Sequence, residues 1–442
     1  MKTIDRLATL LQTSFGELAE QSAAESKVIK RRRKFDASTL AKSFILAMLA
    51  KPTANEEDIA SMAASVGLTI SPQAVEQRYS DQLVAFFRSL FAKMSMQVMH
   101  SESKLAPLLE RFTSVKLIDS SVISLPPSLA AEFAGCGGVG EHNTAAVKLQ
   151  TELDLANGEL QCIQLEPGKS PDQATNRQVV PLQKGSLRIA DLGYFSSAVL
   201  SCYAAWGAFF LTRLLYNVKI KVDDHSEGLV AWLSRQNDSL IDCDVTVGQG
   251  TPLDCRLIAW RIPKAIAAKR RREVRKRAKK KGRTPSQDRL AACDWNFLAT
   301  NLAVEQLSVQ EAIVLYRSRW QIELLFKRWK TYCQIDLMDG RTDTISMARF
   351  WVRLCGALLQ QWLVILAGWF ENSSLSFAKI AKRLANWMDE LASCLVSHSR
   401  LCEYLAKIRN RVLPICKRTK RRKKPGTAEL LRDPNLLEYS LT

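Results

Sequence analysis

Apolar and polar positions alternate with two different periods along this chain. Through the first hundred residues apolar side chains recur at helical spacing, which predicts helices over 3–24 and over Ala37–Leu49. From Ser114 the period becomes that of β-strands, and three strands are predicted over 115–125, 145–155 and 159–166. The Asn157-Gly158 dipeptide between the last two is the strongest short hairpin signal. The chain therefore changes from a helical region to a sheet.

Helices and strands alternate after the hairpin. The pattern predicts a helix between Pro171 and Pro181, a strand over 187–195, a helix over 196–203 and a strand over 208–220. Short strand-like pieces over 240–248, 254–262 and 294–302 indicate a β-rich insertion. A long helix is expected from Ser308 to Tyr332, followed by two or three helices within 344–413. Three antiparallel strands followed by alternating helices and strands predict an α/β fold with the mixed-sheet order of a ribonuclease H-like core.

The segment from Asn55 onward has residues that start and end helices at the positions expected of a helix-turn-helix. Asn55 can cap a first helix, Gly67 can end it, and Ser71-Pro72 can open a second. In a DNA-binding motif of this kind the first side chains of the second helix face the bases. Those side chains are Gln73, Glu76, Gln77 and Arg78. A helical hairpin that packs on its neighbours and does not bind DNA fits the same sequence equally well.

Composition narrows the class of protein. With 442 residues, 47% hydrophobic, and only 14 Pro and 19 Gly, the chain can bury a large core, which excludes disordered and collagen-like classes. Its 11 Cys are dispersed without a CxxC pair, so we expect reduced thiols in a cytoplasm and no zinc finger. The N-terminus lacks the apolar run of a signal peptide. Two uncharged segments, 192–212 and 354–370, are interpreted as buried elements, and no membrane partner is expected.

The net charge of +19 is concentrated in three strips. Lys30 to Lys34 carries +5, Lys269 to Arg283 carries +10, and Lys417 to Lys424 carries +7, which leaves −3 for the rest of the chain. Such strips suggest a polyanionic partner. The middle strip has one acidic residue in fifteen, and self-repulsion favours DNA contact over a solvated helix face. Within it, Arg270, Arg271 and Arg272 are the candidate DNA-binding residues.

Four polar residues fall on one stripe of the predicted long helix. Tyr316, Arg319, Glu323 and Lys330 are spaced at offsets of 0, 3, 7 and 14, within an arc of about 60° at 100° per residue. A carboxylate flanked by two cations and a phenol suits a phosphate held beside a metal ligand. Spacing alone favours a simpler interpretation, an exposed stripe in which Glu323 forms ion pairs within the helix.

Two upstream aspartates strengthen the chemical interpretation. Asp119 follows an apolar run in the first core strand, and Asp191 ends another before Leu192-Gly193-Tyr194. A carboxylate at the end of a buried strand is costly without a cation. Together with Glu323 they would form an all-oxygen site for hard divalent ions. Asp154 and Asp172 are interpreted as turn residues. The Gly-rich segment from Gly135 lacks the Lys-Ser/Thr ending of a nucleotide loop, so no nucleotide is expected.

These blocks resemble the DDE transposases of bacterial insertion sequences that carry a Y-R-E-K signature. Tyr-x2-Arg-x3-Glu-x6-Lys is matched in full from Tyr316 to Lys330, IDSSVISLP is similar to the first-Asp block, and DLGYF is similar to the second. The resemblance covers roughly residues 110 to 335. It implies a ribonuclease H-like core in which Asp119, Asp191 and Glu323 are catalytic and bind two Mg²⁺ ions, with Mn²⁺ as a substitute.

The resemblance also implies roles for the neighbouring residues. Tyr316, Arg319 and Lys330 would hold phosphates of the transposon end. Members that cut through a DNA hairpin use a Trp of the insertion to hold a flipped base, and Trp295 lies in a comparable place. A core aromatic at a strand end is the simpler interpretation of Trp295.

The expected domain organisation follows from the pattern and the resemblance together. It comprises a helical DNA-binding domain over 1–108, a catalytic core over 109–220 and 294–335, an inserted β subdomain over 221–293, a C-terminal helical region over 336–413 and a mobile basic tail over 414–442. The expected function is cut-and-paste transposition in a bacterial cytoplasm, at the nucleoid. Its partners would be double-stranded DNA, as inverted-repeat ends and target, with a homodimer on paired ends. A noncatalytic DNA-binding repressor and a structure-selective nuclease are the alternatives.

Overall fold

The computed structural model describes residues 2–29, 35–102, 106–136, 144–248, 251–369, 375–418 and 425–437. The chain forms two compact units, each assembled from separated stretches. Unit 1 comprises Met1–Lys104, Ser120–Lys169 and Gln321–Lys423, and unit 2 comprises Leu105–Asp119, Ser170–Trp320 and Lys424–Thr442. These units are not the domains expected from sequence, whose boundaries remain predictions. The basic strip 30–34, His142 and residues 419–424 of the tail strip lie outside the described residues.

Unit 1 is mainly helical and is built around one apolar helix. Its described α-helices are α1 Lys2–Phe15, α2 Glu17–Ser26, α3 Ala37–Ala50, α4 Glu56–Ser65, α5 Pro72–Glu76, α6 Asp81–Ser95, α13 Trp320–Tyr332 (from Gln321 onward), α14 Asp343–Leu366, α15 Phe377–Leu384, α16 Met388–Cys394 and α17 His398–Lys407. Helix α14 is buried along nearly its whole length and packs against α3 and α6. A helix that is apolar all round must be covered on every side, so α14 forms the centre of the core.

Local signals explain most of the helix boundaries in unit 1. Asp36 and Asn55 cap α3 and α4 through capping boxes, and Gly67 adopts the left-handed conformation (φ 86°) after α4. Gly16 separates α1 from α2, so the single helix predicted over 3–24 is wrong. A side chain there would meet the Gln12 carbonyl oxygen at 2.8 Å.

The second helix of the predicted helix-turn-helix is shorter than the sequence suggests. Ser71 and Pro72 open α5 as predicted, but α5 is only 5 residues long. A new helix, α6, then starts after Ser80, whose hydroxyl accepts a hydrogen bond from the Leu83 N–H. The expected single second helix is therefore two helices, because a second N-cap competes with its continuation.

The predicted hairpin is present in unit 1. Strands β2 (Ala145–Asp154) and β3 (Leu160–Pro167) pair in antiparallel fashion around Gly158, which has φ 79°. The adjoining strand β1 (Val115–Leu125) has the bounds predicted from sequence. The chain passes from unit 2 to unit 1 within β1, after Asp119. The strand order on this side is β3-β2-β1.

Unit 2 contains the larger part of the sheet. From β1 the strand order continues β4 (Leu187–Ala190), β5 (Phe209–Arg213), β10 (Trp295–Thr300), β9 (Leu253–Arg261), β8 (Leu240–Val247), β6 (Lys219–Val222) and β7 (His225–Gly228). Strands β1, β4 and β5 are parallel, and β10 runs antiparallel to β5. The β-rich insertion therefore continues the sheet from β10 outward, with helix α10 (Lys264–Lys280) following β9.

The remaining helices of unit 2 are short. They are α7 Pro107–Glu110, α8 Ser197–Ala205, α9 Leu229–Ser234, α11 Gln287–Ala291, α12 Val309–Ser318 and α18 Thr427–Arg432. Helix α18 packs against α7 and α12, so the expectation that the whole tail is a mobile linker is wrong for the described residues 425–437. Three buried apolar residues, Ala428, Leu430 and Leu431, hold it in place.

Several predicted elements are interrupted. The helix between Pro171 and Pro181 is two 3₁₀ turns, and the strand over 187–195 ends at Ala190. The strand over 208–220 is split into β5 and β6. Within the described residues of 343–413 there are four α-helices, α14 to α17, where two or three were predicted. Within the described residues no helix is both long and apolar enough to cross a bilayer.

Candidate active site

The two predicted catalytic aspartates lie at matching positions of adjacent parallel strands, Asp119 within β1 and Asp191 directly after β4. In the β1–β4 register Ile118 is opposite Ala190, so Asp119 and Asp191 occupy the next matching position. Asp191 keeps an extended backbone (φ −78°, ψ 168°) just beyond β4. Adjacent strands are about 4.8 Å apart and matching residues face the same side of the sheet. Two carboxylates are therefore brought together at one sheet edge.

Each carboxylate has a partner from the Y-R-E-K signature. The Arg319 Nη1 lies 3.3 Å from the Asp119 Oδ2, and the Tyr316 hydroxyl donates a hydrogen bond of 3.3 Å to the Asp191 Oδ1. The Arg319 and Asp119 side chains are only 14% and 19% exposed, which strengthens their attraction relative to a surface pair. Arg319 is thus paired with Asp119, a partner that spacing along the helix could not suggest.

Tyr316 is a neutral donor in this setting. Burial raises the pKa of its hydroxyl to about 12, and the negative charge of Asp191 acts in the same direction. The nearby Arg213 and Arg319 guanidinium groups act in the opposite direction. The phenol therefore keeps its proton at neutral pH and can orient the Asp191 carboxylate.

Arg213 is a site residue that the sequence interpretation missed. Thr212 of β5 is opposite Ala190 of β4, so Arg213 extends the row formed by Asp119 and Asp191. Its guanidinium carbon lies 5.4 Å from the centroid of the Tyr316 ring. In the sequence, Arg213 is a single charge within an apolar strand. Only the sheet register shows that it lies in the row of the two aspartates.

The turn after Asp191 is fixed by close packing. A side chain at Gly193 would place its Cβ 3.1 Å from the Asp172 Oδ2, which explains the glycine of the DLGYF block. Tyr194 is buried and packs with Ile118 and Ala190 beneath the two aspartates. Asp172, interpreted from sequence as a turn residue, therefore lies against the loop that carries Asp191.

The second half of the signature belongs to unit 1. The predicted long helix is two helices, α12 and α13, joined at Arg319, whose N–H bonds the Tyr316 carbonyl oxygen three residues back. Tyr316 and Arg319 lie in unit 2, whereas Glu323 and Lys330 lie on α13 in unit 1. Glu323 is partly buried, and the Lys330 Nζ donates to the Val122 carbonyl oxygen at 3.2 Å.

Comparison with known proteins identifies the family. The profile of the transposase DDE domain matches residues 110–359. This chain belongs to the DDE transposase family. The chain is 27% identical over 395 residues to the transposase for insertion sequence element IS231F of Bacillus thuringiensis subsp. israelensis, covering 84% of this chain and 81% of that protein. It is 25% identical over 312 residues to the transposase for insertion sequence element IS1151 of Clostridium perfringens, covering 65% and 64%.

Membership of the DDE transposase family agrees with the fold. The domain implies a ribonuclease H-like fold, and the strand order β3-β2-β1 in unit 1 and β1-β4-β5 in unit 2 is the mixed-sheet order predicted from sequence. The fold class and the resemblance to insertion-sequence transposases are therefore confirmed. The family also implies dependence on divalent metal ions.

The residues of the sheet edge fit such a requirement. Asp119 and Asp191 offer oxygen ligands of the kind that hard cations prefer. Within unit 2, the Arg319 guanidinium pairs with Asp119 and the Tyr316 hydroxyl donates a hydrogen bond to Asp191, so each carboxylate has a stabilising contact from the protein. Both aspartates are partly buried; Asp119 lies within β1 and Asp191 directly follows the adjacent strand β4, which positions both backbones.

Trp295 does not have the exposure that the flipped-base role requires. It is 4% exposed, belongs to the apolar core of unit 2, and has the Arg261 guanidinium 4.4 Å from its ring centroid. A ring that stacks on a base must be accessible. The burial of Trp295 therefore argues against the base-holding role and favours a core aromatic.

The other candidate DNA-binding residues belong to different units. Gln73 and Gln77 are exposed on and after α5, and the Arg78 guanidinium lies 4.8 Å from the Phe35 ring centroid. On α10, Arg272 is exposed, whereas Arg270 and Arg271 are partly buried and bond protein groups of unit 2.

Proposed function

We propose that this protein is a cut-and-paste transposase of an insertion sequence, in which Asp119, Asp191 and Glu323 form the catalytic site. The observation that carries the proposal is the matched position of Asp119 and Asp191 on adjacent parallel strands, each partnered by a residue of the Y-R-E-K signature. The names of the related transposases support the choice of DNA as substrate.

The three carboxylates would bind Mg²⁺, or Mn²⁺ as a substitute. When bound, two such ions would supply the positive charge that activates the attacking oxygen and stabilises the leaving oxygen in phosphodiester transfer. The surrounding residues have a separate task, which is to hold the DNA strand. Arg319 and Lys330 supply cations for its phosphates, and Tyr316 orients Asp191 through its hydroxyl.

The same proposal assigns the steps outside the active site. The helices α4 and α5 would recognise the inverted-repeat end through Gln73, Gln77 and Arg78, as the second helix of such a motif faces the bases. Two copies of the chain would hold the paired ends while the freed 3′-hydroxyl attacks the target. The reaction takes place in the bacterial cytoplasm, at the nucleoid.

The decisive substitution is Glu323→Gln. We expect it to abolish Mg²⁺-dependent cleavage of end DNA, because the amide loses the charge that binds the cation, while the affinity for end DNA stays near that of the wild type. Glu305→Gln, at an exposed glutamate of unit 2, is the matched control and should cleave normally. Cleavage that persists in the Glu323 variant would refute the assignment.

The assay also separates the two alternatives. Inverted repeats in the DNA that flanks the gene supply the end substrate, which is incubated with supercoiled target DNA and Mg²⁺. A transposase cuts and joins, a nuclease cuts without joining, and a repressor binds without cutting. Joined products that depend on Glu323 support the proposed function.

A further inference from the structure

Helix α10 has two faces with different tasks. One face is turned toward β10 and is held by specific contacts. The Arg270 Nη1 donates to the Asn296 Oδ1 at 2.9 Å, and the Arg271 Nη1 lies 2.7 Å from the Asp294 Oδ1. Ala267 on the same side is 1% exposed. These two cations anchor the helix, each through its Nη1.

The opposite face carries cations that point away from the anchoring contacts. At 100° per residue, five positions fall within an arc of about 100°, centred roughly 180° from the anchoring residues. They are Lys269, Arg272, Lys276, Lys279 and Lys280, which we call the α10 stripe, and all five are exposed. Glu273 is the one acidic residue in α10. So dense a row of like charges repels itself unless a polyanion covers it.

The dimensions of the α10 stripe match a DNA strand. From Lys269 to Lys280 the helix rises about 17 Å at 1.5 Å per residue. Phosphates of one strand of a duplex recur about every 3.4 Å along its axis, so this length corresponds to about five phosphates for five cations. The lysine and arginine side chains contact phosphates but offer no regular set of polar groups for reading bases.

We infer that the α10 stripe binds the sugar-phosphate backbone of duplex DNA without reading its sequence. The inference rests on the proposed function for the identity of the polyanion. It separates the basic tract, treated from sequence as one DNA-binding segment, into anchors (Arg270 and Arg271) and a binding stripe that includes Arg272. The stripe would add affinity for any duplex, while end specificity comes from elsewhere in the chain.

The test is the triple variant Arg272→Gln, Lys276→Gln, Lys280→Gln, whose positions form one i, i+4, i+8 ridge. Its affinity for an end duplex and for a random duplex is measured by fluorescence anisotropy over a range of salt concentrations. We expect both affinities to fall by the same factor and the slope of log affinity against log salt to decrease by about 2.7, at about 0.9 per phosphate contact.

The matched control removes the same charge elsewhere. Lys27, Lys184 and Lys219 are exposed cations on other elements, and their triple replacement by Gln should leave the slope nearly unchanged. If the two triple variants behave alike, the inference is wrong, because only net charge would matter. If the α10 variant loses affinity for the end duplex alone, the stripe reads sequence and the inference is also wrong.

Two further measurements keep the result unambiguous. If the triple variant does not reach the wild-type thermal midpoint, Arg272→Gln alone should still lower the slope by about 0.9. Polyglutamate is then added as a competitor of bound DNA. If it displaces DNA equally from the wild type and from the triple variant, the stripe is a DNA-binding surface and the inference is supported. If it displaces DNA from the wild type alone, the stripe binds an acidic protein and the inference fails.

The outcome is distinguishable from a failure of the proposed function. The triple variant should lose cleavage of end DNA only in proportion to the DNA that it no longer binds, because its substitutions lie outside the active site. Glu323→Gln should bind every duplex with the wild-type slope and cut none. A wild-type protein that binds duplex through the stripe but never cuts would sustain this inference and contradict the catalytic proposal.

Discussion

The hydroxyl of Tyr316 is the point at which a signature residue acts on a predicted metal ligand. It donates to the Asp191 Oδ1 at 3.3 Å. Burial, and to a lesser extent Asp191, raises the pKa of the hydroxyl, while Arg213 and Arg319 lower it. The net effect is a raised pKa, so the hydroxyl stays protonated at neutral pH. Tyr316 is thus a positioning residue for Asp191 in addition to any contact with phosphate. Deleting its hydroxyl removes one hydrogen bond and little volume.

Tyr316→Phe should slow single-turnover cleavage of end DNA by about 10- to 100-fold, since a hydrogen bond to a charged group contributes roughly 1.5–3 kcal/mol. The Mg²⁺ concentration needed for half-maximal rate should rise, because Asp191 is no longer held in place. Tyr216→Phe, at another tyrosine of unit 2, is the control and should change neither quantity. A variant with normal rate and normal Mg²⁺ dependence would show that the hydroxyl has no positioning role.

At the scale of elements, α12 is secured at its N-terminus by a polar cluster. Ser308 and Glu311 form a capping box, and Glu311 also binds Arg111 through two hydrogen bonds of 2.7 and 3.1 Å. Burial alone would raise the pKa of Glu311, but Arg111 and the Ser308 N–H outweigh it, so that pKa is lowered. Because α12 carries Tyr316, this cap also supports the active site.

Glu311→Gln should lower the stability of the protein by about 0.2–1 kcal/mol near pH 7, because the amide can keep the capping-box bond but loses the charge that pairs with Arg111. A carboxyl with a lowered folded pKa stabilises fully above its ordinary value of 4.5 and loses that contribution as the pH falls through the folded pKa. The difference in thermal midpoint between wild type and variant should therefore shrink below pH 4.5. A difference that is constant from pH 7 to pH 3 would contradict this account.

The boundaries that sequence predicted well are those with strong local signals. Strand β1 has its predicted bounds, Asn55 and Ser71 cap helices as expected, and Gly158 turns the hairpin with φ 79°. The errors arose where two local signals competed or where tertiary contacts interrupted a pattern. Ser80 starts a new helix within an expected one, and β4 ends at Ala190, on which the buried Tyr194 packs.

At the scale of the whole molecule, residues 425–437 of the tail belong to unit 2. Helix α18 packs against α7 and α12, and the Gln310 Nε2 donates to the Pro434 carbonyl oxygen at 2.8 Å. The basic residues of the tail strip suggested a linker, but three apolar residues of α18 are buried. The tail thus contributes to the core beneath α12.

Leu431→Ala should therefore cost about 2–5 kcal/mol, the range for a buried leucine, and lower the thermal midpoint. Leu431 is 2% exposed, whereas Leu436 is 48% exposed and provides the control. Leu436→Ala should change the midpoint little, since its side chain stays largely in water in either case. Equal effects of the two substitutions would show that α18 is not held as described.

The sequence by itself determined the chemical inventory: an aspartate in each of two core-strand blocks, the Y-R-E-K spacing, the succession of strands and helices along the chain, and the location of the charge. These follow from local periodicity and from residue type, which do not depend on distant contacts. The tertiary structure decided the partners. Arg319 binds Asp119 of a strand distant in sequence, Arg213 joins the row of aspartates, Trp295 is buried, and Arg270 and Arg271 anchor α10. Each of these depends on sheet register or on long-range packing, which the order of residues along the chain does not reveal.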